Sequence, residues 1–447
     1  MSDSEINHAR SDRFSSTGFI LAAVGSSVGL GNMWKFPYIT GLYGGAAFVL
    51  LFIFCILLIG LPILLAELTI GRSGRGSASL SMARLGGSKA WGGVGLLPVT
   101  ASFLIMAFYS VVAGWTLHYA MLSFSGVLTN GANYEELFAA FVGSWVPICW
   151  EFIVTLVTAM IIVRGVSAGI ERFNKLLIPA LVLLLIVLAI RSMTLEGAGE
   201  GLSFFFRPDF SKLTTESALV ALGQAFFSLS LGMGTMMTYG AYVDKRQSLG
   251  TATLAIGLGN LLYALLAGLI IFPAIFVFGI APTEGAGLVF VALPAAFAAM
   301  PFGSLIGGTF FLLLALAAIT SAVSALEVPS AFVMDAFGWS RSTSVLFIAI
   351  LSFLVGVPCS LSLNQEAEWL IIGGQSLFNG VDFVVTNVLL PLSGLIVTIF
   401  AGYIWKGARA EAGLHPGWLR LWLFMLRIVS PVLVLLVLLY YTGVLKL

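Results

Sequence analysis

The chain has 447 residues, of which 59% are hydrophobic and 9% are charged, and its mean hydropathy is +1.06. A soluble domain could not bury this much apolar surface, so the composition indicates an all-α polytopic membrane protein. The formal net charge of +1 gives no basic field for nucleic acid, and three cysteines provide neither a disulfide framework nor a metal cluster.

Eleven apolar segments are long enough to cross a bilayer, which takes about twenty residues per crossing. Numbered as spans in chain order, they are predicted at 16–40, 45–71, 92–124, 145–163, 173–192, 216–242, 251–279, 304–336, 343–360, 376–405 and 421–445. The remaining parts are a tail at 1–15, a connector at 193–215 and a loop at 406–420.

The distribution of basic residues predicts the orientation, because positively charged loops stay cytoplasmic. The tail and the loops on its side of the membrane contain 15 Lys and Arg residues, against 5 in the opposite loops. The N-terminal tail and the 406–420 loop are therefore predicted to be cytoplasmic. The 193–215 connector and the C-terminus are then predicted on the outer side of a plasma (inner) membrane.

Spans 1 and 6 each contain an interruption. Residues 27–32 read SVGLGN and residues 230–235 read SLGMGT, and paired glycines continue a helix poorly. A broken helix in a bilayer must line a protein cavity, and matched breaks in two halves point to a transporter's binding site. Spans 1 and 6 enter from opposite sides, which predicts an inverted repeat of 16–192 against 216–405, with span 11 (421–447) added. The alternative is that small residues only let helices pack closely.

A helix break exposes carbonyl oxygens, which can replace the hydration shell of a small cation, and amides, which attract a carboxylate. Thr320 and Ser321 in span 8 are adjacent hydroxyls, and Ser228 and Asn260 add uncharged oxygen donors at membrane depth. Ser and Thr are also ordinary hydrogen-bonding residues between membrane helices. The sequence contains no enzyme constellation and no GxxxxGK phosphate loop, which excludes ATP as the energy source.

Charged residues inside a membrane are costly and usually functional. Glu67 is either a carboxylate near the inner interface or an acceptor for amides freed by a helix break. Glu327 and Asp335 lie toward the cytoplasmic end of span 8, and Lys35 and Asp382 lie toward the outside. These four residues form either surface pairs of little energetic value or latches that open and close as access alternates.

The most specific stretch of the chain is GFILAAVGSSVGLGNMWKFPY at residues 18–38. Supporting motifs are GGAAF at 44–48, ELTIGR at 67–72, FYS at 108–110, GQAFFSLS at 223–230 and TS at 320–321. With these motifs, over nearly its whole length, the chain resembles the neurotransmitter:sodium symporter family, and closely its eleven-span bacterial amino-acid members. This resemblance implies a 5+5 inverted repeat with broken helices 1 and 6.

The resemblance implies two sodium sites. The first maps onto the carbonyl of Ser27 and the side chains of Asn32, Ser228 and Asn260, with the substrate carboxylate as a further ligand. The second maps onto the carbonyls of Gly25, Val28 and Ala317 and the hydroxyls of Thr320 and Ser321. Ala264 and Phe52 stand where chloride-dependent members have a Ser and a Tyr hydroxyl, so chloride dependence is doubtful.

The family's substrate pocket maps onto Ser26, Ser27, Leu30, Gly31, Ile105, Tyr109, Phe227, Ser228, Ser230, Met233, Ser321 and Ala325. Tyr109 would hydrogen-bond the substrate carboxylate and, with Phe227, form an aromatic lid. Met233 and Ala325 replace bulkier side chains of leucine-preferring relatives. This favours a large apolar or aromatic amino acid.

The resemblance also implies two gates. The outer gate is similar to Lys35 with Asp382. The inner gate is similar to an arginine of the tail with Asp335, supported by Tyr242 and Glu327. The tail motif is one residue shorter than usual, which leaves Arg10 and Arg13 as alternatives.

These features predict a sodium-coupled symporter that imports a neutral, hydrophobic or aromatic amino acid by alternating access. Two rivals stay open: a sodium-independent or proton-coupled amino-acid transporter of the same fold, and a channel or passive membrane scaffold. The expected partners are an amino-acid substrate and the lipid bilayer. Neither nucleic acid nor an obligate protein partner is expected.

Overall fold

The computed structural model describes residues 13–128, 132–279, 287–364, 371–372 and 374–445, and within these ranges nearly all regular structure is helical. One short antiparallel pair, Ile371–Ile372 with Gln375–Ser376, provides the strands of the described residues. The all-α prediction is therefore confirmed.

Nine continuous helices of the described residues are long and apolar enough to cross a membrane. As spans 2 to 5 and 7 to 11, they are Ala46–Gly74, Lys89–Phe124, Val146–Val163, Val166–Met193, Leu249–Val277, Gly303–Phe337, Arg341–Leu361, Leu377–Ile404 and Pro416–Tyr441. Each coincides with a predicted span. Span 5 begins earlier than predicted, because a wide helical turn at Val166–Glu171 continues into the main helix.

The other two crossings are interrupted, as predicted. Span 1 consists of Ser16–Ser27, then a wide turn at Gly31–Lys35 and a helix at Phe36–Leu42. Span 6 consists of Thr215–Ser228 and Thr235–Ala241. With these two, the described residues contain the eleven crossings that the sequence predicts.

Shorter helices cover the ends of the spans. They are Ala78–Gly86, Tyr134–Val142, Gly199–Phe206, Leu293–Ala298 and Ala408–Ala412. The helix Leu293–Ala298 continues the wide turn Leu288–Ala292 and packs on span 8. Below, outer and inner refer to the predicted orientation.

The interrupted spans lie at the centre of the molecule. The inner half of span 1 packs against spans 5, 7 and 8, and the inner half of span 6 packs against span 2. Spans 3 and 8, the third helices of the two repeats, run along each other. The peripheral spans carry exposed apolar side chains, such as Leu183, Leu258 and Ile350, as a lipid-facing surface requires.

The break in span 6 depends on backbone that only glycine adopts easily. Gly232 has a φ of +76°, and a Cβ there would stand 2.3 Å from the carbonyl oxygen of Leu390 in span 10. Gly232→Ala is expected to lower the free energy of unfolding by about 1 to 3 kcal/mol, the usual cost of a strained backbone position. Thermal unfolding of the purified protein in detergent measures this.

Gly380→Ala is the matched control. A Cβ at Gly380, in the helix Leu377–Val384, meets no heavy atom within 4 Å. The higher helix propensity of Ala should make this variant up to about 1 kcal/mol more stable. Equal melting temperatures for the two variants would contradict the strain assigned to Gly232.

Candidate substrate and cation site

A cavity lies between the two helix breaks, in the middle of the bundle. Its lining residues are Ser26, Ser27, Gly29, Gly31, Ile105, Tyr109, Phe227, Ser228, Ser230, Met233 and Ser321. Ten of the twelve residues predicted for the substrate pocket are among them. The cavity has an apolar part, formed by Ile105, Phe227 and Met233, and a polar part formed by hydroxyls and unwound backbone.

Leu30 and Ala325 were predicted to line this cavity, but they lie just behind it. The backbone N–H of Leu30 donates to the Tyr109 hydroxyl (3.1 Å), and its side chain is buried away from the cavity. The carbonyl oxygen of Ala325 accepts a hydrogen bond from the Ser102 hydroxyl of span 3 (2.9 Å). Gly29 also lines the cavity, and a Cβ there would stand 2.4 Å from the Ser321 hydroxyl, so the position has no room for a side chain. A residue that contributes by having no side chain carries little signal in one sequence.

The outer side of the cavity is covered by an aromatic ring and an ion pair. The Phe227 ring lies against Gly31, where a Cβ would come within 2.7 Å of it. The Lys35 ammonium lies 5.0 Å from the centre of the same ring and 3.8 Å from the Asp382 carboxylate. Asp382 also accepts from the Thr386 hydroxyl at 2.8 Å. The predicted outer residues thus lie together directly above the cavity.

The first group of oxygen donors lies beside the break in span 1. The side-chain amides of Asn32 and Asn260 are 2.7 Å apart, and Asn32 Nδ2 lies 3.2 Å from the carbonyl oxygen of Ser27. The Ser228 hydroxyl lies 2.6 Å from Asn32 Oδ1 and within 2.9 Å of the Asn260 amide. All four residues are buried. Uncharged amide, hydroxyl and carbonyl oxygens are the hard donors that suit a small cation.

The second group lies between the inner half of span 1 and span 8. The Thr320 hydroxyl is 2.9 Å from the Gly25 carbonyl and 2.8 Å from the Ala317 carbonyl. Val28 follows the last helical turn with a non-helical backbone (φ −95°, ψ 81°), which turns its carbonyl out of the helix ladder. The Ser321 hydroxyl donates instead to the Ser26 carbonyl (3.1 Å), on the cavity side.

Serine side chains join the two breaks to span 8. The Ser230 hydroxyl donates to the Ser26 carbonyl (2.9 Å), and the hydroxyls of Ser26 and Ser324 are 2.7 Å apart. Sequence reasoning did not select Ser324. The available signal was its spacing of three residues from Ser321, which puts both on one face of span 8.

Two further polar side chains bind backbone freed at the breaks. The Glu67 carboxyl, fully buried in span 2, accepts a hydrogen bond from the Gly232 N–H (2.7 Å). Gln224 donates to the Gly31 carbonyl (3.0 Å). Both contacts satisfy backbone groups that a regular helix would have paired internally.

The inner side is closed by a network that the sequence revealed only in part. Arg341 binds both carboxylate oxygens of Glu327 (2.9 and 3.0 Å), and the Tyr242 hydroxyl donates to Glu327 (2.8 Å). Sequence reasoning missed Arg341, because the residue before span 9 carries no motif that names its partner.

Of the two tail arginines that the sequence offered as partners of Asp335, the structure describes one. Arg13 forms an exposed ion pair with Asp244 at 3.5 Å. Arg10 lies outside the described residues. The Asp335 carboxylate accepts a hydrogen bond from the Ser77 backbone N–H (2.6 Å).

Comparison with known proteins agrees with this architecture. Residues 10–137 and 140–446 match the model of the sodium:neurotransmitter symporter family. The chain belongs to this family. It is therefore a multi-pass membrane transporter of a family coupled to sodium, which confirms the resemblance that its motifs indicate.

Relatives of this transporter cover almost its full length. It is 38% identical over 441 residues to YhdH of Bacillus subtilis, an uncharacterized sodium-dependent transporter, covering 97% of this chain and 98% of that one. An uncharacterized sodium-dependent transporter of Haemophilus influenzae is 33% identical, covering 94% and 95%. The crystal structure of MhsT in complex with L-phenylalanine is 45% identical with a TM-score of 0.90, covering 97% of this chain and 100% of that one.

Proposed function

We propose that this transporter imports a neutral amino acid with a large apolar or aromatic side chain, together with one or two sodium ions. The observation that carries the proposal is the pair of uncharged oxygen groups on either side of a cavity between two helix breaks. The relative MhsT was crystallised with L-phenylalanine, which supports an aromatic substrate.

The cavity has the two kinds of surface that such a substrate needs. Ile105, Phe227 and Met233 provide the apolar part, and the flexible thioether of Met233 can adapt to side chains of different shape. The unwound backbone provides the polar part, where amides at the start of a half-helix attract a carboxylate. The Tyr109 hydroxyl, which accepts from the Leu30 N–H, is placed to donate its own proton to that carboxylate.

The two oxygen groups are proposed as the sodium sites. In the first, the substrate carboxylate would complete the ligand set of Ser27, Asn32, Ser228 and Asn260. Cation and substrate then stabilise each other, and this reciprocal effect is the physical basis of coupling. The second site would use the carbonyls of Gly25, Val28 and Ala317 with the hydroxyls of Thr320 and Ser321. It bridges span 1 to span 8, so an ion there would stabilise the packing of the two.

The gates are proposed to alternate as spans 1, 2, 6 and 7 rock against the rest, with 16–192 and 216–405 as the two inverted repeats. The outer closure is Lys35 with Asp382. The inner closure is Tyr242, Glu327 and Arg341, together with Arg13 and Asp244. The contacts Lys35–Asp382 and Glu327–Arg341 are present together, which supports an occluded state as one step of the proposed cycle.

The sodium gradient supplies enough free energy for accumulation. A membrane potential of about 100 mV contributes roughly 2.3 kcal/mol per charge. A tenfold sodium gradient contributes about 1.4 kcal/mol. One sodium ion per cycle thus supports accumulation of several hundredfold, since each 1.4 kcal/mol is a factor of about ten.

Uptake by proteoliposomes tests this function. Radiolabelled phenylalanine should accumulate in the liposomes when sodium is present outside and the membrane potential is negative inside. Replacement of sodium by choline should reduce uptake to the level of empty liposomes. Unchanged uptake in choline would favour a sodium-independent or proton-coupled transporter. Flux that never exceeds equilibration would favour a channel. A set of unlabelled amino acids as competitors would define the substrate range.

Chloride provides a further arm of the same experiment. Phe52 and Ala264 are both buried and offer neither a hydroxyl nor a charge to an anion, and Phe52 packs on Phe36. Replacement of chloride by gluconate is therefore expected to leave uptake unchanged. Loss of uptake in gluconate would show that an anion binds elsewhere.

A further inference from the structure

Glu151 is a buried carboxyl group for which the transport cycle described above has no use. It lies in the outer part of span 4 and has no solvent exposure. No described residue makes an ion pair with it, and neither of its carboxyl oxygens has a partner at regular hydrogen-bond geometry in the described part of the chain. Acidic side chains are almost never fully buried unless paired.

Two glycines let the neighbouring helices approach this residue, one at its carboxyl and one at its backbone. A Cβ on Gly356 of span 9 would stand 1.9 Å from Glu151 Oε1 and 2.7 Å from the Ala107 carbonyl oxygen of span 3. A Cβ on Gly114 of span 3 would stand 2.9 Å from the Glu151 backbone nitrogen. The carboxyl therefore occupies the space that a side chain at Gly356 would fill, with the Ala107 carbonyl oxygen beside that space, while Gly114 lets span 3 pack closely on the backbone of span 4.

The groups that face the carboxyl are neutral or carry partial negative charge. Span 4 packs against spans 3, 8 and 9, the start of span 5 and the helix Tyr134–Val142. From these elements, Ser110 of span 3 and the Cys359 thiol of span 9 are close to it. His118 of span 3, the nearby group that could carry a positive charge, instead stacks on Phe141 and contacts the Trp150 ring. A carboxylate placed among such groups lacks the cation and the hydrogen-bond donors that would offset its desolvation.

The hydrogen bond made by Ser110 bears on which protonation state of Glu151 fits its surroundings. Its hydroxyl donates to the Ala107 carbonyl (3.0 Å), and a hydroxyl has one proton to donate. While it makes this bond, Ser110 can accept from the O–H of a neutral Glu151. To donate to a Glu151 carboxylate it would have to give up the bond to Ala107, so the surroundings favour the neutral acid.

We propose that Glu151 is a proton-binding site, and that transport requires its proton-bound form. Ser110 follows Tyr109, which lines the substrate cavity, so a charge behind Ser110 would displace the part of span 3 that holds the substrate. This inference rests on the proposed function, because transport is one of its readouts. The ligand of the site is a proton, and its binding is expected to set the alkaline limit of transport.

The pH profile of sodium-driven uptake tests the proposal with Glu151→Gln, which keeps the shape of the neutral acid. In the native protein, uptake should fall about tenfold per pH unit once Glu151 titrates, because the proton-bound fraction falls by that factor. Glu151→Gln should transport within about twofold of the native protein at neutral pH and lose this alkaline limb. Glu135→Gln, at an exposed position of the helix Tyr134–Val142, should keep the native profile.

Infrared spectroscopy gives a readout that does not depend on transport. A carboxylic-acid carbonyl band should be present at neutral pH and lost in Glu151→Gln. Ser110→Ala, which keeps the acid and removes the neighbouring hydroxyl, should shift the frequency of this band, and this measurement remains available if Glu151→Gln does not fold. An unaltered alkaline limb in Glu151→Gln, or a band that neither variant changes, would overturn the proposal. Lack of sodium-dependent uptake at neutral pH in the native protein would instead reject the proposed function.

Discussion

Thr320→Val is expected to weaken the apparent affinity of the transporter for sodium while the protein still folds. The Thr320 hydroxyl is the side-chain oxygen that lies between the Gly25 and Ala317 carbonyls, and valine has the same shape without it. A polar contact to a charged group contributes about 1.5 to 3 kcal/mol. The apparent sodium affinity should therefore fall about ten- to a hundredfold, as measured by the sodium dependence of phenylalanine uptake.

Thr253→Val is the control for this substitution. The Thr253 hydroxyl is also buried in a membrane helix, but it bonds only to the Leu249 carbonyl of its own helix (2.8 Å). Loss of a hydroxyl there should leave the sodium dependence unchanged. If Thr320→Val keeps the native sodium dependence, the second oxygen group is not a cation site, and Thr320 serves only to pack span 1 on span 8.

Arg341→Met is expected to be among the most destabilising single changes in the inner half of the molecule. Glu327 has no solvent exposure, and Arg341 is its only described cationic partner. Removal of one partner of a buried pair leaves an uncompensated charge, at a cost of about 3 to 5 kcal/mol. A large fall in the thermal unfolding temperature in detergent should show this.

Two comparisons separate the pair from a general loss of packing. The double variant Glu327→Gln with Arg341→Met removes both charges and should recover much of the lost stability. Arg13→Ala breaks a pair whose side chains are 50% and 51% exposed, and should cost less than about 1 kcal/mol. A double variant no more stable than Arg341→Met would show that the arginine stabilises the fold by contacts other than the ion pair.

The positions of the spans could be predicted because they depend on the lipid bilayer as a solvent and not on contacts with other segments of the chain. Each crossing must be apolar over the thickness of a bilayer, so spans such as 8 and 10 can be predicted from local composition alone. The two helix breaks could be predicted for a similar reason. Glycine pairs interrupt a membrane helix, and residues 27–32 and 230–235 contain the same spacing.

Motif resemblance brought most of the cavity residues into the prediction, but not the network between them. Ser324 and Gly29 were missed because each acts through contact with a residue about 300 positions away, Ser26 in one case and Ser321 in the other. Leu30 and Ala325 are not among the residues that line the cavity, since a sequence does not say which side of an unwound segment faces it.

The partners of charged residues could also be predicted only in part. Asp382 lies beside Lys35 as predicted, yet Glu327 is paired with Arg341, and Arg13 with Asp244. Charge and membrane depth restrict a residue to a side of the bilayer, but its partner depends on how the helices pack.

The amino-acid pattern alone establishes that this chain crosses a membrane eleven times, that two crossings are broken, and that uncharged oxygens collect near the breaks. These are local properties, set by hydropathy and by the backbone freedom of glycine. Packing alone decides which oxygens lie together, which carboxyl meets an arginine, and that the Glu151 carboxyl lies against Gly356 with no cation among the described residues beside it. Such contacts join distant parts of the chain, so their energies depend on three-dimensional neighbours that no single segment specifies.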